Sequence, residues 1–200
     1  MNVTAYQRYY DVDGAKVPRV TAMLEAAGLI NTRWFTDEAR DRGTRIHLAT
    51  KLLDEGKLAW SGLTEEERPY VEAWAKFKEE LGVIVKEREV FLCDPQKRYA
   101  GTCDAIASAD RGTSSAPPLW VLDLKAGAEL PSYRIQTAAY EDMLHATRHV
   151  AYYRRAAVHL LPDGKYRFRP HTRMQDYDDW AAVARVIHLR LNHGLWKLDD

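Results

Sequence analysis

Two periods of hydrophobic placement divide the chain. Over roughly the first 82 residues, apolar positions recur at helical spacing. Val17 to Leu29 predicts a short helix that starts at Pro18 and stops at Gly28. Trp34 to about Glu55 predicts a longer helix, with Ile46, Ala49, Leu52 and Leu53 at helical spacing and Gly56 as its stop. Gly43 interrupts it at a cost of about 1 kcal/mol relative to Ala. A small residue inside a helix often marks close approach of another backbone or a ligand. Thr64 to Leu81 predicts a third helix, opened by a capping box of Thr64 and Glu67 and striped by Val71, Trp74, Phe77, Lys78 and Leu81.

From Val83 the period becomes two. Val83 to Leu92, Tyr99 to Ala107 and Leu119 to Lys125 predict strands, with a Gly/Ser/Pro turn region at Asp110 to Pro118. A helix from about Pro131 to Ala146 follows. Val150 to Leu161 and Lys165 to His171 predict a hairpin around Pro162-Asp163-Gly164, and Met174 to Leu195 predicts a closing helix. This order implies one α/β (α+β) domain over residues 1–200. A mainly helical part would span 1–82, a sheet core 83–173 and a C-terminal helix 174–200. The sheet would be mixed, of about five strands, with helices on its flanks.

Composition narrows the class. With 200 residues, 46% of them hydrophobic and 29% charged, the chain can bury a core and is not a disordered polymer. No apolar run approaches the roughly 20 residues of a membrane helix. Met1-Asn2-Val3-Thr4-Ala5-Tyr6 lacks the features of a secretory signal. The expectation is a soluble, cytoplasmic protein with no membrane partner. Cys93 and Cys103 cannot supply the four thiolates of an iron–sulfur cluster and read as small buried hydrophobes. Net charge is zero, yet Arg148 to Arg173 holds seven basic residues and one acid, Asp163. Arg154, Arg155, Arg167 and Arg169 on this stripe suit phosphate contact or, equally, a solvated strand face.

The candidate chemistry centres on Asp123-Leu124-Lys125, at the end of an apolar run. A strand points residues i and i+2 to one face, so Asp123 and Lys125 face together while Leu124 turns to the core. If the strand of Asp104 pairs with that of Asp123, two carboxylates can share a hard divalent cation. Gly101 would permit close backbone approach. His47, on the second helix, can add a ring nitrogen, and Arg42 and Arg45 on the same helix can contact phosphate. Gln136 and Tyr140 share a helix face and can hydrogen-bond Lys125 or a phosphate. Glu87 and Glu89 share a strand face, and either could be a further acid. Trp34, Tyr133 and Trp120 could stack on bases, although Trp120 also suits a core. Taken singly, each of these residues has a plain reading as an ion pair, a turn carboxylate or an ordinary helix face.

Four motifs in order carry a family likeness: Arg42-Gly43-x-x-x-His47, Gly101-Thr102-Cys103-Asp104, Leu122-Asp123-Leu124-Lys125 and Gln136-Thr137-Ala138-Ala139-Tyr140. Together they resemble the PD-(D/E)xK nuclease superfamily, in its RecB-like branch and the related phage (lambda-type) exonucleases. Val17-Pro18-Arg19-Val20-Thr21 also resembles the N-terminal segment common in phage members, so the likeness spans most of the chain. It implies a restriction-endonuclease-like core. It implies that His47, Asp104, Asp123 and the carbonyl of Leu124 bind one or two Mg²⁺ or Mn²⁺ ions. Lys125 would be the catalytic lysine, supported by Gln136 and Tyr140. The cysteines of the iron–sulfur members are missing, so no iron–sulfur cluster is expected. No Gly-x-x-x-x-Gly-Lys-Ser/Thr motor motif is present, which implies a stand-alone nuclease or the nuclease subunit of an assembly. The implied activity is metal-dependent hydrolysis of DNA, most nearly by an exonuclease acting on linear single- or double-stranded DNA in phage-type recombination or repair, in a phage or bacterial host cell. A single-strand annealing protein, a helicase or further copies of the chain are the partners this implies. A structure-specific or restriction-type endonuclease and a non-catalytic DNA-binding module on the same fold stay open.

Overall fold

The structure, a computed structural model, describes residues 1–30, 36–109, 118–148 and 153–198. It opens with strands where the hydrophobic pattern predicts helix only from Val17. Val3–Ala5 (β1), Tyr9–Val12 (β2) and Ala15–Pro18 (β3) form a small antiparallel sheet. Val12 pairs with Ala15 across Asp13-Gly14, whose φ values of 49° and 87° are both positive. A two-residue type I′ hairpin needs that conformation, and Asp-Gly supplies it. Pairing with β2 keeps Val17 and Pro18 extended, so the first helix, α1, runs only from Val20 to Ala26.

The second helix, α2 (Asp37–Asp54), starts at Thr36, whose Oγ1 accepts the Ala39 N–H at 3.1 Å. Trp34 and the start expected there lie outside the described residues. The third, α3 (Arg68–Leu81), follows the expected capping box: the Thr64 N–H donates to Glu67 Oε2 at 3.1 Å, and the Glu67 N–H to Thr64 Oγ1 at 3.2 Å. Asp54 ties both helices to the sheet. It accepts the Trp74 indole N–H at 3.0 Å and pairs with Lys78 and, at 3.5 Å, Arg88.

The central sheet contains β4 (Val83–Asp94), β5 (Tyr99–Ala109), β6 (Leu119–Lys125), β7 (Tyr153–Leu160) and β8 (Tyr166–His171), in that spatial order. Only β6 and β7 are parallel, joined through α4 (Tyr133–Arg148). This is the expected mixed five-stranded sheet flanked by helices, closed by α5 (Gln175–Asn192). Alternation along β6 divides the core in two. Leu122 and Leu124 pack with Ile46, Tyr70, Trp74 and Phe77 from α2 and α3. Val121 packs on the other face, with α1, α4 and α5. Burying a Leu side chain fully is worth about 1.5–3 kcal/mol, so Leu124, with no exposure, is a strong anchor for the chain on either side of it.

One residue of the expected basic stripe belongs to the interior. Arg155 is 2% exposed and cannot meet DNA. Its guanidinium donates to Asp176 Oδ2 at 2.9 Å, the Arg134 carbonyl at 2.9 Å and the Arg173 carbonyl at 2.8 Å, and its Nε lies 3.1 Å from Glu141 Oε2. Arg134 reaches the same Asp176 and, at 2.8 Å, Asp179. This network joins α4, β7 and α5. Among the described residues, no helix is long and apolar enough to cross a membrane.

Candidate active site

The paired register of β5 and β6 runs to Ala105 and Leu122, and the next residues toward the sheet end are Asp104 and Asp123. Both carboxylates are buried, at 8% and 2% exposure. Asp104 Oδ2 accepts the Leu124 N–H at 2.5 Å, and its Oδ1 lies 3.2 Å from His47 Nδ1. His47 reaches it because the next turn of α2 is anchored: Ile46 is fully buried, and Thr50 Oγ1 accepts from Arg88 at 3.0 Å. The side chain of Leu124 turns to the core, as the alternation predicts, and its N–H tethers the neighbouring carboxylate.

The two acids on β4 part company. A register shift between Val85 and Glu87 interrupts the alternation, and Glu87 pairs with Arg148 at 2.5 Å on the surface. Glu89 sits between the pairs Arg88–Ala105 and Val90–Cys103, opposite Asp104. Ligand atoms of His47, Glu89 and Asp104 lie within 4.8 Å of one another. The φ of Glu89 is +51°. A non-glycine residue there carries roughly 1–3 kcal/mol of strain, and such residues gather at functional sites.

Lys125 stands on the other side of the acids. Its Nζ lies 2.8 Å from Asp123 Oδ2, 3.4 Å from Gln136 Oε1 and 4.5 Å from the centre of the Tyr133 ring. Gln136 uses its whole amide here: Nε2 donates to Asp123 Oδ1 at 3.2 Å and to the Tyr140 hydroxyl at 2.8 Å, while Oε1 faces Lys125. The helical spacing of Gln136 and Tyr140 makes that pairing feasible. Tyr140 is held in turn by Gly101: a Cβ at that position would lie 2.6 Å from Tyr140 Cε1. Asp123 Oδ2 is buried, and the Lys125 ammonium lies 2.8 Å from it.

Burial and neighbours set the charges. Burial pushes Asp123 up to about 6 against the pull of Lys125. Burial acts on Asp104 too, but His47, Lys125 and the Leu124 N–H outweigh it and hold the carboxyl below its ordinary range. Asp104 raises His47, which favours imidazolium. Burial works against the Lys125 ammonium, yet Asp123 and Asp104 prevail and its pKa is raised. Partial desolvation and then the neighbouring Asp104 raise the otherwise exposed Glu89, while burial places Tyr140 well above the usual phenol, so that hydroxyl stays neutral.

The remaining basic residues divide by face. Lys125 pairs with His159 and His159 with Arg167, while Asp123 pairs with Ala157 and Ala157 with Arg169. Residues directly opposite share a face, so exposed Arg167 and Arg169 extend the site's own face across the sheet. Arg169 also meets Glu129 at 3.0 Å. Arg154 pairs with Trp120 and so belongs to the opposite face, its guanidinium 5.6 Å from the Trp120 ring. The stripe expected as one track is therefore split between the two faces of the sheet. Arg42 pairs with Glu66 at 2.7 Å, and Arg45 pairs with Glu67. Trp120 packs on Phe168.

No known protein-family profile matches the sequence, and no curated protein matches it. Among solved structures, the fold is similar to that of a protein from Eubacterium rectale named "putative exonuclease". The TM-score is 0.52 at 13% sequence identity, over 94% of this chain and 80% of that one.

Proposed function

We propose that the chain is a metal-dependent nuclease that hydrolyses DNA phosphodiester bonds. The observation that carries this reading is the convergence of His47, Glu89 and Asp104 beside the Asp123–Lys125–Gln136 cluster at one strand end. One imidazole nitrogen with several carboxylate oxygens suits Mn²⁺ or Mg²⁺. His47, Glu89, Asp104 and Asp123 would hold one or two such ions. When bound, the cation supplies Lewis acidity toward a phosphoryl oxygen and a more acidic water.

The chain's own groups do the rest. Lys125, kept as an ammonium by its ion pair, orients the attacking water and offsets charge that gathers on phosphorus-bound oxygens. Gln136 fixes the rotamer of Lys125 and holds Asp123, with Tyr140 behind it. Arg167 and Arg169 supply phosphate contacts on the same sheet face. Arg42 pairs with Glu66 and Arg45 with the buried Glu67, so a phosphate contact by either arginine would have to displace a carboxylate. Action on DNA ends is the form we favour, supported by the name of the structural neighbour.

The test is degradation of end-labelled linear DNA with Mg²⁺ or Mn²⁺. Lys125→Ala and Asp123→Ala are expected to lose activity, and full activity in both would defeat the assignment. Covalently closed circular DNA should resist the wild type; cleavage of it would replace the exonuclease reading with an endonuclease.

A further inference from the structure

Lys125, Tyr133 and Gln136 border more than the carboxylate cluster. On the side away from the acids they open into a cavity of about 260 Å³ walled by Leu130, Ile30 and the first residues of α1. A second cavity, of about 190 Å³, is bordered by Arg8, Arg190 and Trp196. The two meet over Gln7, Ala22 and Glu25. Taken together they fall in the lower part of the range of ligand-pocket sizes, roughly 300–1,000 Å³. They make a furrow along α1, whose seven residues span about 10 Å at 1.5 Å each.

The chemistry of this furrow is graded. Its site end is Lys125 under an aromatic ring, with apolar Leu130 and Ile30 beside it. Its far end carries two guanidinium groups and an indole. Arg8 reaches only the Lys197 carbonyl, at 3.4 Å, and Arg190 the Ala26 carbonyl, at 2.5 Å; neither is paired with a carboxylate among the described residues. Trp196 is half-buried. Gln7, midway, offers an amide of the kind that bonds base edges. Cations at both ends with aromatic rings beside them are the elements of a single-strand binding groove, where phosphates follow the charge and unstacked bases lie on rings. A stacked strand rises about 3.4 Å per nucleotide and an unstacked one extends to roughly twice that, so 10 Å holds about two.

We propose that this furrow seats roughly two nucleotides of single-stranded DNA adjoining the bond to be cut, with a base on Trp196 and a phosphate at Arg8. A base inside a duplex is stacked on its neighbours and cannot lie on Trp196, so the furrow selects the unpaired strand. This inference rests on the nuclease reading of the site, and it is tested by binding alone.

The experiment is fluorescence anisotropy of a labelled 12-nucleotide single strand in EDTA, over a range of salt. Trp196→Ala is expected to bind about tenfold more weakly, with Trp196→Phe restoring most of the loss. Arg8→Gln is expected to lower the slope of log affinity against log salt by about 0.7, the value for one phosphate contact on a single strand. Wild-type affinity and slope in both variants would overturn the proposal, as would a loss in Trp196→Ala that Trp196→Phe does not repair. Equal wild-type affinity for a blunt duplex would overturn the single-strand preference and the furrow with it. Hydrolysis of bis(p-nitrophenyl) phosphate by the wild type with Mn²⁺ judges the catalytic site independently, so the two failures cannot be confused.

Discussion

Gly101→Ala is the sharpest perturbation the site allows, because it adds one methyl group and no charge. That methyl would meet Tyr140 Cε1 at 2.6 Å and Cδ1 at 3.3 Å, with Val20 Cγ2 at 3.5 Å behind. Carbon atoms rest about 3.5–4.0 Å apart, so the ring must retreat by about 1 Å. It has little room to do so: Tyr140 is 3% exposed and its hydroxyl is tied to Gln136. Overpacking of this kind costs about 1–3 kcal/mol. For a domain of this size each kcal/mol lowers Tm by about 2–4 °C, so a fall of about 2–12 °C is expected by calorimetry. Retreat of the ring also drags Gln136 from Lys125 and Asp123. A misplacement of about 1 Å in a reacting group can cost about a hundredfold in rate, and a comparable loss of DNA hydrolysis is expected. Adding Tyr140→Leu to Gly101→Ala removes the obstruction and should recover part of the Tm but none of the activity. A single variant with Tm within about 1 °C of wild type and unreduced hydrolysis would refute the reasoning.

Removal of Glu89 should separate it from its neighbour Glu87. Calorimetric titration is expected to show weaker Mn²⁺ binding in Glu89→Ala, while Glu87→Ala binds as wild type and loses at most about 1 kcal/mol of stability with its surface ion pair; equal metal affinity in all three would remove Glu89 from the ligand set. His47→Ala should weaken Mn²⁺ binding more than it lowers Tm, and unchanged affinity would exclude the imidazole. Metal affinity should also rise with pH. His47 is raised above 6.5 by Asp104 and Asp123 is raised to about 6, so both hold protons in the acid range that the cation must displace. Titration from pH 5.5 to 8 is expected to show tightening affinity and proton release at the lower end; a flat profile would contradict the ligand assignment.

Much of this arrangement was legible along the chain, for identifiable reasons. The β6 strand lies where its period of two places it, and alternation alone puts Asp123 with Lys125 and Leu124 in the core. Gln136 and Tyr140 meet because four residues make one helical turn. The N-terminal sheet was hidden because strands of three or four residues carry too few alternations to show a period. Asp13-Gly14 was the signal that could have revealed it. Whether Glu87 or Glu89 faces the site hangs on a one-residue register shift, which flips side chains without changing composition. Arg155 misled for a related reason. Its neighbour Arg154 is exposed, and nothing local says which of two adjacent arginines turns inward to meet Asp176, 21 residues on. The opposed faces of Arg154 and Arg169 follow from pairing register, which only the assembled sheet reveals.

The Arg155 network bears on how the molecule opens. Stripping α5 from the sheet would leave Arg155 facing Glu141 without Asp176, a buried charge lattice with a missing corner, at a cost of several kcal/mol. Fraying of the last helix as an independent unit is therefore disfavoured. Its amide protons near Trp180 and Ile187 should exchange with solvent water as slowly as those of β6, through the same global opening. In that sense the closing helix and the strand of Asp123 and Lys125 form one cooperative unit, held together by a charge network on the same sheet face as those two residues.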